Sequence, residues 1–479
     1  MTKEAVIGAI ENSEEQAVAL LAEAVAIKSV SCQYGTREKV REMATWIKGQ
    51  LLKSHPEANV RFEEIEETQT FPDGSMAKYP PLVFADMARF DGSKKTVLIY
   101  AHYDVQPAEQ SDGWDTDPWQ LTRLGKQLRG RGSTDDKGPL VGWLYVFAQY
   151  AAAKKAFPVN VKLVLEGMEE SGSVGFDTTV ARHKKENPSW WEQVDYCVVS
   201  DNYWLTTEKP CLSYGLRGVN SYEVAVEGPA VDLHSGVFSG AVYQPLDDLL
   251  YVLNKLKGED DRMLIPGVYD QVAPVTPEEE KMYDNLCFNL KDFQDQIGVK
   301  GLRHENVKDL LMARWRHPTL TIHGIEGAFS EPGFKTVIPR KVIGKFSIRV
   351  VPNQTCQYVD QKTVEYVQQL AKERKTANKI TVTPLDAGTW FYVDPTSHVF
   401  KAAHQAVEQV WGVAPDYTRE GGSIPITLTL SALTGKDLCL IPMGRSDDGA
   451  HSQNEKLDVD TFMGGMKVFV HFLENLATM

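Results

Sequence analysis

The sequence lacks several features that would settle its function class at once. Its 479 residues contain no uncharged apolar run that reaches the roughly 18 residues of a membrane span. The N-terminal segment mixes glutamates with its apolar residues, so we expect no signal peptide and no membrane partner. Acidic residues outnumber basic ones by 65 to 51, and the net charge of −14 argues against a nucleic-acid partner.

Cysteine is sparse and dispersed along the chain. The six cysteines form no CxxC pair. This distribution predicts reduced, mostly buried thiols in a cytoplasmic protein. A chain of this length can bury large cores, so it needs no metal or disulfide merely to fold.

The N-terminal half does contain short apolar runs, and these alternate with segments of helical pattern. Residues 96–101, 161–165 and 196–199 have the composition of buried strands, and a helix opens at Gly138. Strand, helix and strand at this spacing predict a largely parallel α/β sheet. Residues 68–80 are predicted to be a loop because they are rich in Pro, Gly and polar residues.

The pattern changes after the last of these strands. Residues 221–227 alternate as a half-exposed strand does, and leucines at helical spacing follow them. We therefore predict a second, α+β domain over residues 212–388. It is inserted into a first domain that comprises residues 1–211 and 389–479.

A histidine and an aspartate two residues apart follow the first predicted strand. His102 and Asp104 would point to the same face of an extended chain. His102 could then bind a metal through one ring nitrogen while Asp104 orients the ring through the other. A buried hydrogen-bonded pair explains the same pattern, and this motif alone favours that simpler interpretation.

Two adjacent acids, Asp135 and Asp136, lie among glycines just before the predicted helix. Helix capping and the helix dipole account well for one of them. They account less well for two neighbouring carboxylates. A bridging metal ligand, by contrast, suits a rigid turn with small neighbours.

Further candidate ligands follow other strand ends. Glu169 and Glu170 come soon after the run that ends at Leu165, where buried charge is costly. Open α/β sheets place their sites at the carboxyl ends of parallel strands. A solvated acidic turn explains Glu169 and Glu170 equally well when they are taken alone. Asp201 and His451 are two more residues at strand ends.

Together these segments supply two imidazoles and three carboxylates. One carboxylate can bridge two divalent ions about 3.5–4 Å apart, and a bound hydroxide would match the remaining positive charge. Glu169 is then free to take a proton from the bridging water. The absence of cysteine ligands favours zinc or manganese. The five candidate ligands are His102, Asp135, Glu170, Asp201 and His451.

Ten segments in order resemble the dimetal peptidases of the aminoacylase and carboxypeptidase-like family. They are most similar to its branch of cytosolic nonspecific dipeptidases, which act on carnosine or Cys-Gly. The resemblance runs from about residue 20 to the C-terminus. The segments are AHYDVQP, GRGSTDDKGP, EGMEESGS, SDNYWL, YGLRG, DLHSGVF, KTVIP, FSIR, TREGGSIP and MGRSDDGAHSQNEK.

The resemblance implies how the ligands share the two ions. His102 and Asp201 would hold one ion. Glu170 and His451 would hold the other, and Asp135 would bridge the two. A cis peptide bond is implied after Asp135.

The resemblance also implies catalytic roles. Glu169 would be the general base, and Asp104 the partner that orients His102. His234 would reach into the active site of a partner subunit and stabilise the oxyanion. The inserted domain would then serve as both lid and dimer surface. Without the resemblance, His234 is better explained as an ordinary loop histidine.

A substrate-binding set is implied as well. Arg349 would bind the substrate carboxylate, although a strand arginine in a surface ion pair explains it equally simply. Glu420 would hold a free α-amino group, and Thr336, Ser423 and His234 match other substrate-contacting positions.

We therefore predict a cytoplasmic, homodimeric metallodipeptidase with two zinc or manganese ions per subunit. One alternative is an N-acyl amino acid deacylase or carboxypeptidase of the same family, which needs no acid for a free amino group. Another is a catalytically inactive binding protein, against which Glu169 and the complete ligand set argue. A metal-stabilised structural module is disfavoured because structural zinc sites are usually closed and cysteine-rich.

Overall fold

A computed structural model describes residues 2–479 of the chain. Within this range it has fifteen α-helices and twenty strands. The helices are α1 (Lys3–Glu11), α2 (Glu14–Ala26), α3 (Arg37–Ser54), α4 (Lys137–Ala152), α5 (Phe176–Glu186), α6 (Pro188–Glu192), α7 (Ser235–Phe238), α8 (Pro245–Asn254), α9 (Pro277–Asp284), α10 (Leu290–Gln296), α11 (Val307–Trp315), α12 (Cys356–Arg374), α13 (His398–Trp411), α14 (Pro425–Thr434) and α15 (Val459–Leu476). The strands are β1 (Asn59–Glu63), β2 (Thr68–Thr70), β3 (Met76–Lys78), β4 (Leu82–Asp86), β5 (Thr96–His102), β6 (Thr122–Leu124), β7 (Gln127–Arg129), β8 (Asn160–Glu166), β9 (Tyr196–Val199), β10 (Cys211–Leu216), β11 (Gly218–Glu227), β12 (Leu233–His234), β13 (Thr319–Glu326), β14 (Val337–Ile338), β15 (Lys341–Val350), β16 (Lys379–Gly388), β17 (Phe391–Tyr392), β18 (Asp416–Glu420), β19 (Leu438–Leu440) and β20 (Lys456–Asp458). None of the helices in residues 2–479 combines the length and the apolar character needed to cross a bilayer.

The large sheet has nine strands, in the order β1-β4-β8-β5-β9-β19-β10-β17 with β18 beside β10. Its centre, β8-β5-β9-β19, is parallel, and antiparallel strands flank it. Every residue of β5 is buried, which fits a parallel strand covered on both faces. The predicted α/β class with a mostly parallel sheet is confirmed.

The central parallel strands end at one edge of the large sheet. β5 ends at His102, β8 at Glu166, β9 at Val199 and β19 at Leu440. His102 is the last residue of β5, and the other candidate ligands lie in the connections that follow these strands. The fold therefore brings together residues that are far apart in the chain, as expected for an open α/β sheet.

A second sheet, in the order β13-β15-β11-β16, is entirely antiparallel. Helices α8 and α12 cover one of its faces through buried residues such as Val224, Leu249 and Val359. A single residue, Arg217, separates β10 of the large sheet from β11 of the small one. The inserted domain over residues 212–388 remains a prediction, and the four strands of the small sheet lie within it.

The loop predicted over residues 68–80 is wrong in part. Strands β2 and β3 form a short antiparallel hairpin there, with Thr68 opposite Lys78. The N–H of Phe71 donates to the carbonyl of Ser75 at 2.9 Å, and Gly74 adopts φ 82° in the turn. The Pro-Asp-Gly-Ser signal thus marks a tight turn within the segment.

Candidate metal centre

The five candidate ligands converge at the carboxyl edge of the large sheet. His102 Nε2 lies 3.0 Å from Asp135 Oδ1 and 3.8 Å from Asp201 Oδ2. His451 Nε2 lies 3.1 Å from Asp135 Oδ2 and 3.0 Å from Glu170 Oε2. Asp135 therefore presents one carboxylate oxygen to each imidazole, which is the arrangement that a bridging ligand requires.

Two overlapping groups of side chains could each hold an ion. The ligand atoms of His102, Asp135 and Glu170 lie within 4.8 Å of one another, as do those of His102, Glu169 and Asp201. Imidazole nitrogens and carboxylate oxygens are suitable donors for divalent metals. Among residues 2–479, no Lys or Arg lies within ion-pair distance of these carboxylates. The donor set therefore fits divalent cations.

Burial and the close approach of several carboxylates shift the pKa values of residues in the site. Burial, with the nearby charge of Asp135, raises the pKa of Asp201 to about 7. Burial likewise raises the pKa of Glu169. Hydrogen bonds to Asp135 and Glu170 raise the pKa of His451 to about 10. The protein's own groups thus leave an excess of acid at this edge, and bound cations would offset it.

Asp104 orients two parts of the site at once. His102 Nδ1 lies 3.1 Å from the backbone carbonyl oxygen of Asp104 and 3.4 Å from its Oδ1, as expected for a partner that sets the ring orientation. The same carboxylate accepts the backbone N–H of Glu169 at 3.2 Å and that of Glu170 at 3.1 Å. Sequence reasoning anticipated only the contact with His102.

The roles of two neighbours of the ligands were not predicted from the sequence. Gln106 Nε2 donates to Glu170 Oε2 at 2.9 Å and so fixes that carboxylate. Asp136 Oδ2 accepts the backbone N–H of His102 at 3.2 Å, whereas its side chain makes no capping hydrogen bond to α4. Their only sequence signal is proximity to candidate ligands. The Asp135–Asp136 peptide bond is cis, as the resemblance implied.

Three predicted substrate-binding residues meet where the two sheets join. Arg349 Nη1 donates to Ser423 Oγ at 3.2 Å, and Ser423 Oγ donates to the carbonyl of Arg217 at 2.5 Å. The carbonyl of Glu420 accepts the N–H of Arg217 at 3.2 Å. Burial raises the pKa of the Glu420 carboxyl, and nearby Arg314 and Arg217 oppose that shift.

His234 and Thr336 lie elsewhere: His234 is on the ribbon formed by β12 and β14, and Thr336 directly precedes β14. His234 pairs with Val337, and the carbonyl of Thr336 accepts the N–H of Ser235 at 3.1 Å. The His234 side chain is exposed and accepts the N–H of Gly236. No hydrogen bond or ion pair within residues 2–479 joins His234 or Thr336 to the candidate ligands.

Comparison with known proteins identifies the family. The sequence model of the family described as "Peptidase family M20/M25/M40" matches residues 98–475. The chain belongs to this family. A Cys-Gly metallodipeptidase of Candida albicans, DUG1, is 45% identical over 97% of this chain and 95% of its own.

Solved structures of the same family superpose over the full chain. The dipeptidase Dug1p from Saccharomyces cerevisiae has a TM-score of 0.86 and 41% identity, covering 100% of this chain and 99% of its own. Human carnosine dipeptidase 1 also has a TM-score of 0.86, with 36% identity and the same coverage. These relatives confirm the predicted family branch, fold class and enzyme class. The family and the ligand groups together indicate the use of divalent metal.

Proposed function

We propose that the protein is a homodimeric metallodipeptidase that cleaves dipeptides such as Cys-Gly or carnosine-like peptides. Two zinc or manganese ions would be bound in each subunit. The observation that carries the proposal is the position of Asp135, whose two oxygens lie 3.0 and 3.1 Å from two different imidazoles. Relatives named for Cys-Gly and for β-Ala-His suggest the class of substrate.

Each ion would have its own pair of ligands beside the shared Asp135. His102 and Asp201, 3.8 Å apart, would hold one. Glu170 and His451, 3.0 Å apart, would hold the other. When bound, such ions polarise the scissile carbonyl and lower the pKa of a water molecule.

Glu169 would move the proton. It lies beside the ligands, and its backbone N–H is fixed by Asp104. Burial raises the pKa of its carboxyl, so the group can hold a proton taken from water and pass it to the leaving amine.

The substitution Glu169→Gln tests this role. It should lower kcat about 10²–10⁴-fold while the metal content stays at the wild-type value. The neighbouring variant Glu170→Gln should instead lower the metal content, because Glu170 lies against His451. Turnover measured beside elemental analysis separates the two effects, and a Glu169→Gln enzyme with normal turnover would refute the assignment.

Selection for dipeptides would come from groups that read both ends of the substrate. Arg349 and Ser423, joined by a hydrogen bond, would bind the carboxylate, and Glu420 would bind the free α-amino group. N-acetyl-Cys-Gly should then be cleaved at least about 10²-fold more slowly than Cys-Gly. Equal rates would favour a deacylase or carboxypeptidase instead.

A second copy of the chain would complete the site. His234 lies on an exposed ribbon, away from the ligands of its own subunit. Large apolar side chains around it are exposed, namely Val231, Val237 and Phe334. Exposed apolar surface of this kind marks interfaces, so we propose that the ribbon docks on a partner subunit and that His234 acts in the partner's site.

Mixing two inactive variants tests this arrangement. A dimer of Glu169→Gln and His234→Ala subunits contains one site with both groups intact if His234 acts across the interface. Random mixing should then restore about a quarter of wild-type activity, since half of the dimers are mixed and each has one good site. No recovery in subunits shown to have exchanged would place His234 within its own subunit's site.

We also propose a cytoplasmic location and a part in glutathione catabolism. All six cysteines are free thiols, which suits a reducing compartment. Cys-Gly is the dipeptide that remains when glutathione loses its γ-glutamyl group. Cell fractionation, with Cys-Gly measured in cells that lack the protein, tests both points.

A further inference from the structure

A buried carboxylate outside the ligand set organises the loop that carries Asp135. Glu455 is fully buried, and each of its oxygens accepts two hydrogen bonds. Oε1 accepts the backbone N–H groups of Thr134 at 3.0 Å and Asp135 at 3.1 Å. Oε2 accepts the N–H of Gly132 at 2.9 Å and Arg131 Nη1 at 2.7 Å. Its donors therefore all come from residues 131–135.

Arg131, which forms an ion pair with Glu455, also contacts the loop of a second candidate ligand, His451. Arg131 Nη2 lies 3.3 Å from the carbonyl oxygen of His451 and 3.4 Å from that of Pro107. His451 has φ 61°, a conformation that a non-glycine residue keeps only when its surroundings hold it. The carbonyl of Glu455 also accepts the N–H of Gly130 at 3.0 Å. The pair thus ties the loop of Asp135 to the loop of His451.

We propose that Glu455 and Arg131 are positioning residues that hold the Asp135 carboxylate and the His451 imidazole at a fixed separation. They thereby set the affinity for the ion that these two side chains share with Glu170. The inference rests on the proposed function, because it requires these side chains to bind metal. Glu455 acts only through others, since both of its oxygens are already occupied by donors.

The expected size of the effect follows from how such partners act elsewhere. Groups that hold metal ligands in place typically change metal affinity about 10–100-fold when they are removed. A buried acid with an arginine partner would also stabilise the fold whether or not metal is bound. Metal affinity is therefore the measurement that distinguishes positioning from a purely structural role.

Glu455→Gln is the first variant. It keeps the side-chain volume but replaces one acceptor oxygen with an amide donor, which opposes two of the four donors. Titration of the metal-stripped protein with Mn²⁺ should show one binding step weakened about 10–100-fold. The matched control is Asp248→Asn, because Asp248 is also buried, on helix α8 that covers the small sheet, and its Oδ1 accepts Arg374 Nε at 2.7 Å. This control should lose thermal stability and keep wild-type Mn²⁺ affinity.

Arg131→Lys serves if Glu455→Gln does not fold. It keeps a positive charge beside Glu455 but lacks the second nitrogen that reaches His451, so the same Mn²⁺ step should weaken. If the folded variant, Glu455→Gln or Arg131→Lys, binds Mn²⁺ with an affinity within about twofold of the wild-type value, the inference is overturned. Failure of the wild-type protein itself to bind either Mn²⁺ or Zn²⁺ would overturn the proposed function instead.

Discussion

Two clusters of carboxylates lie near the segment that joins β19 and β20, and different groups offset their negative charge. The acids of the candidate metal centre face imidazoles. In the second cluster, Lys456 Nζ lies 3.0 Å from Asp447 Oδ1, 2.7 Å from Asp448 Oδ1 and 3.0 Å from Asp458 Oδ2. Arg445 Nη1 adds a bond to Asp458 at 2.8 Å. The second cluster thus contains permanent cations from the chain itself.

The contrast shows that converging carboxylates do not by themselves make a metal site. The ligand atoms of Asp447, Asp448 and Asp458 also lie within 4.8 Å of one another. An ammonium group already occupies their centre, and together with Arg445 it offsets most of their negative charge at neutral pH. In the metal centre the balancing groups are His102 and His451, and they coordinate metal only when neutral. A divalent ion is thus the cation that suits that cluster across the physiological range.

The largest expected effect is the loss of the shared carboxylate. Asp135→Asn should lower bound metal and reduce kcat/KM by about 10³-fold or more, because a neutral amide cannot bridge two cations. Asp448→Asn is the matched change in the other cluster. This variant should keep the wild-type metal content of the protein, since Lys456 and not a metal ion fills that cluster. Elemental analysis and dipeptide assays compare the two variants, and normal metal content in Asp135→Asn would show that Asp135 is not a shared metal ligand.

A smaller effect is expected when the second cluster loses its cation. Lys456→Met leaves buried carboxylates without their main partner and should lower the free energy of unfolding by about 3 kcal/mol. Added Ca²⁺ should recover part of this loss in the variant and have no such effect on the wild type. Urea unfolding with and without Ca²⁺ measures both.

The control for this variant is a lysine that is partly exposed. Lys467 Nζ lies 3.0 Å from Glu11 at the surface, and Lys467→Met should cost less than about 1 kcal/mol. Equal losses in the two lysine variants would show that Lys456 does not neutralise a buried cluster.

The smallest expected effect is the pH dependence of this neutralisation. Burial lowers the pKa of Lys456, but the acids led by Asp448 outweigh burial and raise it above the ordinary 10.5. The stability that Lys456 supplies is therefore complete below pH 10.5 and is lost as the pH rises through the higher folded value. The difference in Tm between wild type and Lys456→Met should shrink as the pH rises above 10.5. A difference that widened over this range would contradict the assignment.

Features with a local signal could be predicted from the sequence. Runs at 96–101 and 161–165 correspond to β5 and β8, because buried parallel strands read as nearly continuous apolar segments. The candidate ligands could be proposed because acids and histidines followed such runs. His102 and Asp201 are examples, and both lie at the expected edge of the sheet.

Features that depend on distant partners could not be predicted. Arg131 and Glu455 are 324 positions apart, and nothing local indicates which of 65 acidic residues this arginine meets. The bonds from Asp104 to the amides after β8 depend in the same way on how two strands align. The hairpin of β2 and β3 was not predicted because three-residue strands are too short to show the alternation of apolar and polar residues.

The spread of the proposed ligands along the chain has a consequence for biosynthesis. His102 is the first of the five and His451 the last, so most of the polypeptide separates them. A ribosome must translate past His451 before the five side chains can meet, and a prematurely terminated product would be inert. The proposed activity would thus arise only after residue 451 has been made, so translation of most of the chain precedes any peptide-bond cleavage.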